Sequence, residues 1–147
     1  MTALKSATHA VSLQLQNQTA EIARMSAWLE TTLTSWGVDK APLFRIDLSA
    51  NEAVTNILSY AFPEGGQHDI LLSLKYTNNE LELAITDDGM AFNPLAMPPH
   101  VQPATLADAQ IGGLGIDLIR HYMDDCSYQR NGNKNSLILK LSLEDKA

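Results

Sequence analysis

A chain of 147 residues is the size of one domain, long enough to bury a real core and short of what two full domains need. With 45% hydrophobic residues, 18% charged residues and six prolines it reads as soluble and globular, and no run approaches the roughly 18 consecutive apolar residues of a membrane span. A net charge of -7 with ten singly scattered Lys and Arg residues excludes a basic stripe for nucleic acid, and the lone Cys126 together with an N-terminus lacking a secretory apolar core leads us to expect a cytoplasmic location.

Val11, Leu13 and Leu15 alternate with polar residues, the period-two mark of a half-buried first strand. Asn17 or Thr19 can cap the helix that follows, where Ile22, Met25, Leu29, Leu33 and Trp36 recur at helical spacing until Gly37 stops it. Trp28 and Trp36 read as packing residues of that helix. Asp39 and Pro42 then open a central helix that ends near Pro63.

In the central helix Ile46, Ala50, Ala53, Val54, Ile57 and Ala61 form the core stripe, which Leu48 interrupts. Glu52 and Asn56, one turn apart, share another face with Arg45, Ser49 and Ser59. Short polar residues predominate there, where a solvated face favours Lys, Glu and Gln, so this face is a candidate pocket lining.

Glu64, Gly65 and Gly66 make a turn, and a second strand follows with Ile70, Leu72, Leu74 and Tyr76 on one face. Thr77, Asn78 and Asn79 turn the chain into a third strand, where Leu81, Leu83, Ile85 and Asp87 share a face. Parity therefore puts the Asp87 carboxylate inside, which is costly unless donors or a ligand meet it.

From Asn93 to Ile111 run about nineteen residues with four prolines and no periodicity, the length and composition of a lid or binding loop. Glycines at 112, 113 and 115 then lead into a helix with Ile116, Ile119 and Met123 on its buried side, and such a junction offers backbone N–H groups to an anion such as phosphate. Residues 126–130 and 136–143 read as two final strands joined at Asn131 and Gly132. The expected architecture is a single α+β domain over residues 1–147, a two-layer sandwich with a mixed, mainly antiparallel sheet covered on one face by three helices. The four histidines lack a ligand spacing, Cys126 reads as a small buried residue, and Arg120 as a solvated one.

Three separated pieces thus converge on one pocket: Glu52 with Asn56, the run Asp87-Asp88-Gly89, and Gly113-Leu114-Gly115 after the long loop. EAVTN at 52–56, DDGMAF at 87–92, GGLGI at 112–116 and MDD at 123–125, in this order and spacing, resemble the GHKL superfamily of gyrase-type ATPases, histidine kinases and mismatch-repair ATPases. Within it the chain looks most like the anti-sigma-factor serine/threonine kinases of bacterial partner-switching systems, over residues 9 to 143. The resemblance implies a Bergerat-type ATP-binding fold with ATP and Mg²⁺ as cofactors. It implies that Glu52 is the catalytic base, that Asn56 holds the metal through its amide oxygen, and that Asp87 accepts a hydrogen bond from the adenine amino group. Gly89 would admit the base close to the backbone, and Gly112, Gly113, Leu114 and Gly115 would meet the phosphates. The implied partners are a small anti-anti-sigma (STAS-type) protein phosphorylated on serine, a sigma factor, and a second copy in a homodimer, with no nucleic acid and no membrane.

The chain departs from that pattern in three places. Ala91 stands at the second glycine of D-x-G-x-G, at a cost on the order of 1 kcal/mol if φ must be positive there. Tyr60 stands where relatives often carry His, and no Lys or Arg occurs between Phe92 and Ile111. Two other readings are a non-catalytic ATP-gated binding module and a histidine-kinase catalytic domain, the latter set back by the lack of a phospho-acceptor helix before residue 9.

Overall fold

The computed structural model describes residues 8–96 and 113–143. In chain order the elements are β1 (His9–Gln16), α1 (Glu21–Ser35), α2 (Lys40–Tyr60), β2 (Asp69–Thr77), β3 (Glu80–Asp87), a 3₁₀ turn (Pro94–Ala96), α3 (Gly113–Tyr122), β4 (Asp125–Asn131) and β5 (Lys134–Ser142). The sheet order is β1-β2-β3-β5-β4, and every pairing is antiparallel. β3 and β4 do run in the same direction, but β5 lies between them, so no parallel ladder forms.

Period-two alternation builds one apolar layer. Leu15, Ile70, Leu72, Leu74, Leu81, Leu83, Ile85, Leu137, Leu139 and Leu141 are all buried, and the register aligns them across the strands, as in Leu13 opposite Leu72 opposite Ile85 opposite Leu137. A slip of one residue in any pairing would turn that strand's apolar set to the outer face. The helices close the layer from one side with Met25, Leu29 and Leu33 of α1, Ile46, Ala50, Ala53, Val54 and Ile57 of α2, and Ile119 of α3. Each such Leu or Ile contributes about 1.5–3 kcal/mol of burial.

Two local expectations need correction. Neither Asn17 nor Thr19 caps α1: the N-cap is Ala20, without a side-chain hydrogen bond. Asn17 is committed elsewhere, its Nδ2 donating to Gly66 O at 3.0 Å and its Oδ1 accepting from His68 N at 2.9 Å. The last hairpin turns on Gly132 and Asn133 rather than Asn131 and Gly132, because Asn131 still pairs with Lys134. Gly132 alone has positive φ, at 59°, the type II′ pattern, whereas Asn78 and Asn79 of the β2–β3 turn both do, the type I′ pattern. Trp36 follows the last turn of α1 and stacks with His9 at 5.2 Å and with Tyr76 at 6.3 Å between ring centroids.

The free edge of β1 is partly closed by α1. Glu21 Oε1 accepts the Gln16 N–H at 2.8 Å, Arg24 Nη2 donates to Gln14 O at 2.6 Å, and the two side chains pair at 2.9 Å. The hydrogen bond from Arg24, then that from the Gln16 amide, lowers the Glu21 carboxyl from 4.5 to about 2. Occupying edge groups in this way blunts strand addition.

Candidate nucleotide site

α2 supplies one wall of a narrow cleft and the central strands β3 and β5 the other. Asn56 and Ile57 of α2, Asp87 of β3, Phe92 beyond it, Tyr128 of β4 and Asn135 of β5 are among the residues that line this cleft, whose cavity volume is about 20 Å³. Asn56 is 4% exposed and its Nδ2 has no hydrogen-bond partner. Left dry, such a group costs about 1–3 kcal/mol, so a buried amide facing a cleft is placed for a ligand. Ser49, two turns earlier on α2, is fully buried and its hydroxyl is likewise unpartnered. The polar stripe of α2 is therefore split: Ser49 and Asn56 are buried, Glu52 is half-buried, and Arg45 and Ser59 are exposed. Glu52 sits one turn from Asn56 and outside the cleft lining.

Asp87 is inside, as parity requires, at 4% exposure. Its Oδ1 accepts the Gly89 N–H at 2.8 Å and Asn135 Nδ2 at 3.0 Å, while among the described residues no donor meets Oδ2. One carboxylate oxygen is saturated by the protein; the other remains an acceptor.

Gly89 has a steric role that its motif did not reveal. A Cβ there would lie 2.5 Å from both Ala61 Cβ and Ala61 O, so the loop after β3 packs directly on the end of α2. Met90 N–H donates to Ala61 O at 2.9 Å across the same contact. The glycine is required by the helix behind it. Ala91 is exposed, and its φ is not positive, so the backbone penalty expected for it does not arise. Tyr60 packs against Phe92 at 5.3 Å between ring centroids.

Gly113, Leu114 and Gly115 form the first turn of α3 rather than a turn ahead of it, and α3 packs against α2. Gly112 and residues 97–111 of the expected lid lie outside the described residues. Arg120, exposed on α3, donates to Leu95 O where that loop begins. Cys126 is half-buried, and burial pushes its thiol up, in keeping with a packing role. His68 bridges Asp88 Oδ1 at 3.0 Å and Gly65 O at 3.1 Å and stacks on Phe62 at 4.2 Å. His100 lies outside the described residues.

Asn135, Tyr128 and Arg130 were missed in the sequence. The signal was present for Asn135: Leu137, Leu139 and Leu141 face inward, and two residues earlier the same parity delivers an amide to the buried face. Among the described residues no group of three or more His, Cys, Asp or Glu could hold a metal ion. One amide oxygen at Asn56 still fits Mg²⁺, because that ion keeps several waters and takes much of its shell from substrate phosphates.

A five-stranded antiparallel sheet covered on one face by helices, with a cleft between a polar-faced helix and a buried aspartate, is a two-layer α+β class of fold. The chain belongs to the histidine kinase-like ATPase domain family, which it matches over residues 15–141. It is 42% identical over 96 residues to the serine/threonine-protein kinase BtrW of Bordetella bronchiseptica, covering 65% of this chain and 68% of that protein. It is 32% identical over 83 residues to the serine-protein kinase RsbW of Halalkalibacterium halodurans, covering 54% of this chain and 50% of that protein. The aligned stretch thus spans about two thirds of one of these relatives and half of the other. A solved structure of the RsbU and RsbW domains of a Mycobacterium tuberculosis protein superposes with a TM-score of 0.65 at 14% identity, over 95% of this chain and 34% of that one, a likeness of fold. No helix among the described residues is long and apolar enough to cross a membrane.

Proposed function

We propose that the chain is a single-domain, cytoplasmic, ATP-dependent protein serine kinase of anti-sigma type. In this reading it binds ATP with Mg²⁺, phosphorylates a serine of a small anti-anti-sigma (STAS-type) protein, and holds a sigma factor when that partner is phosphorylated. The observation that carries the reading is the presence, in one cleft, of an Asn56 side chain whose Nδ2 has no protein partner and of the Asp87 Oδ2, which no donor among the described residues meets. Kinase names among the relatives support it.

Asp87 Oδ2 would take the amino group of adenine, and Asn56 would be the protein's ligand to the metal. Held there, Mg²⁺ would supply charge neutralisation for phosphoryl transfer. Glu52, one turn away, is the candidate base: its carboxylate takes the proton of the serine hydroxyl as that oxygen bonds to the γ-phosphorus, and the bond to the β-phosphate oxygen breaks to release ADP. The first turn of α3, with Gly113, Leu114 and Gly115, directs N–H groups and the positive end of the helix toward phosphate.

The test is phosphotransfer from labelled ATP to a purified anti-anti-sigma partner by wild type and Glu52→Gln. Transfer should fall by about 10²–10⁴-fold in the variant while ATP binding persists; equal transfer by both refutes the role of Glu52. A second reading, an ATP-gated binding module without turnover, is favoured by the absence of Lys or Arg from residues 93–111. It predicts ATP binding with no transfer by either protein. Light scattering in solution tests the proposed homodimer.

A further inference from the structure

Asn135 stands opposite Asp87 in the β3–β5 pairing and is 4% exposed. Its amide oxygen accepts from three donors: the Tyr128 hydroxyl, Arg130 Nη1 at 3.1 Å and the Phe92 N–H at 3.4 Å. An amide oxygen only accepts and an amide nitrogen only donates, so these donors fix which way the group points. The nitrogen is thereby turned onto Asp87 Oδ1 at 3.0 Å and Met90 O at 2.9 Å. Arg130 is itself held by Gly89 O at 2.8 Å and Gly132 O at 3.1 Å. β4 thus braces the amide, and the amide braces the carboxylate.

We propose that Asn135, oriented by Tyr128 and Arg130, is a positioning residue that leaves Asp87 a single free acceptor and so sets the pocket's preference for a base whose edge presents an N–H donor. The inference rests on the reading of the cleft as a nucleotide site. Two donors on Oδ1 stop the carboxylate from rotating, and Oδ2 then points at one place on the ligand. A purine with a carbonyl at that place would set two acceptors against each other, leaving both unpaired, which is how a hydrogen-bonding site rejects the wrong partner. With the Asn135 amide removed only the Gly89 N–H holds Oδ1, the carboxylate turns more easily, and the discrimination relaxes.

The experiment is calorimetric titration with ATP and with inosine triphosphate, which carries a carbonyl in place of the amino group. Wild type should prefer ATP, and Asn135→Ala should shrink the ratio of the two affinities by roughly tenfold, one hydrogen bond's worth of discrimination. Tyr128→Phe, which removes one donor from the amide oxygen, should shift the ratio the same way by less. Asn135→Asp sets a second carboxylate against Asp87, with Tyr128 and Arg130 on its other oxygen. The pair then shares one proton. That proton restores a donor to Asp87, so ATP affinity of this variant should rise several-fold from pH 8 to pH 5, relative to wild type, as the shared proton is taken up. A merely structural lesion weakens both nucleotides equally and gives no recovery at low pH. An unchanged affinity ratio in folded Asn135→Ala, or no pH recovery in Asn135→Asp, overturns the role of Asn135 alone. If wild type binds neither nucleotide, the nucleotide-site reading falls and this inference with it.

Discussion

Substituting Gly89 by Ala tests how the loop after β3 is held. The new Cβ would stand 2.5 Å from Ala61 Cβ, 2.5 Å from Ala61 O and 2.9 Å from Asp87 Oδ1. Carbon atoms rest about 3.5–4.0 Å apart, and neither a backbone carbonyl nor an alanine methyl can swing aside. The loop must retreat from α2, which stretches the Met90 N–H···O Ala61 bond now at 2.9 Å. Overpacking costs about 1–3 kcal/mol and the lost hydrogen bond about 1, together about 2–4 kcal/mol. Against a total stability of about 5–15 kcal/mol that is a large fraction. At about 2–4 °C per kcal/mol for a chain of this size, the melting temperature should fall by roughly 5–15 °C, read by calorimetry or circular dichroism. Ala61→Gly in the same chain removes the methyl contact and keeps the carbonyl contact, so the double variant should recover only part of the loss. A Gly89→Ala protein melting within about 1 °C of wild type refutes the packing of Gly89 on Ala61.

Ser49→Ala deletes a buried hydroxyl with no partner and should stabilise the protein by about 1 kcal/mol in urea unfolding; a loss of stability would mean that the hydroxyl is bonded in solution. The Glu21 carboxyl is lowered from 4.5 to about 2 in the folded state, so its contribution is complete above pH 4.5 and fades as the pH falls toward 2. Glu21→Gln should flatten the stability profile in that window while leaving its slope at neutral pH as in wild type. Because the pair is exposed, added salt should reduce the wild-type effect, and a profile unaltered by the substitution would refute the linkage.

The strands were legible because alternation is a short-range property: Leu81, Leu83 and Ile85 predict the inward place of Asp87 from three neighbours. The core stripe of α2 was legible for the same reason at helical spacing. What the sequence withheld depends on partners distant in the chain. Gly89 reads as a motif glycine until Ala61, 28 positions earlier, is seen to fill the space of its side chain. Asn17 looks like a helix cap because its competitors, Gly66 and His68, are 49 and 51 positions away. Asn135 reads as part of a turn in Gly-Asn-Lys-Asn, and only the pairing with β3 turns it into the support of a buried carboxylate. Asp87 and Asn56 were found because each is the polar exception on a patterned face, whereas Tyr128 and Arg130 lie on β4, where the alternation is too weak to mark an exception.

The Asp87–Asn135 bond joins positions 48 apart, and the two paired strands that carry it together form one wall of the cleft. Closing so long a segment has an entropic cost that grows as the logarithm of its length, and it is met only when β3 and β5 are zipped together. A small molecule seated against that wall would bind no chain in which the pairing is open. Its affinity therefore adds to the stability of the whole sheet by mass action, by about 2.7 kcal/mol at a hundredfold excess over Kd. A ligand there would act as a removable staple, and its withdrawal would lower protection from proteolysis across the whole sheet rather than at the cleft alone.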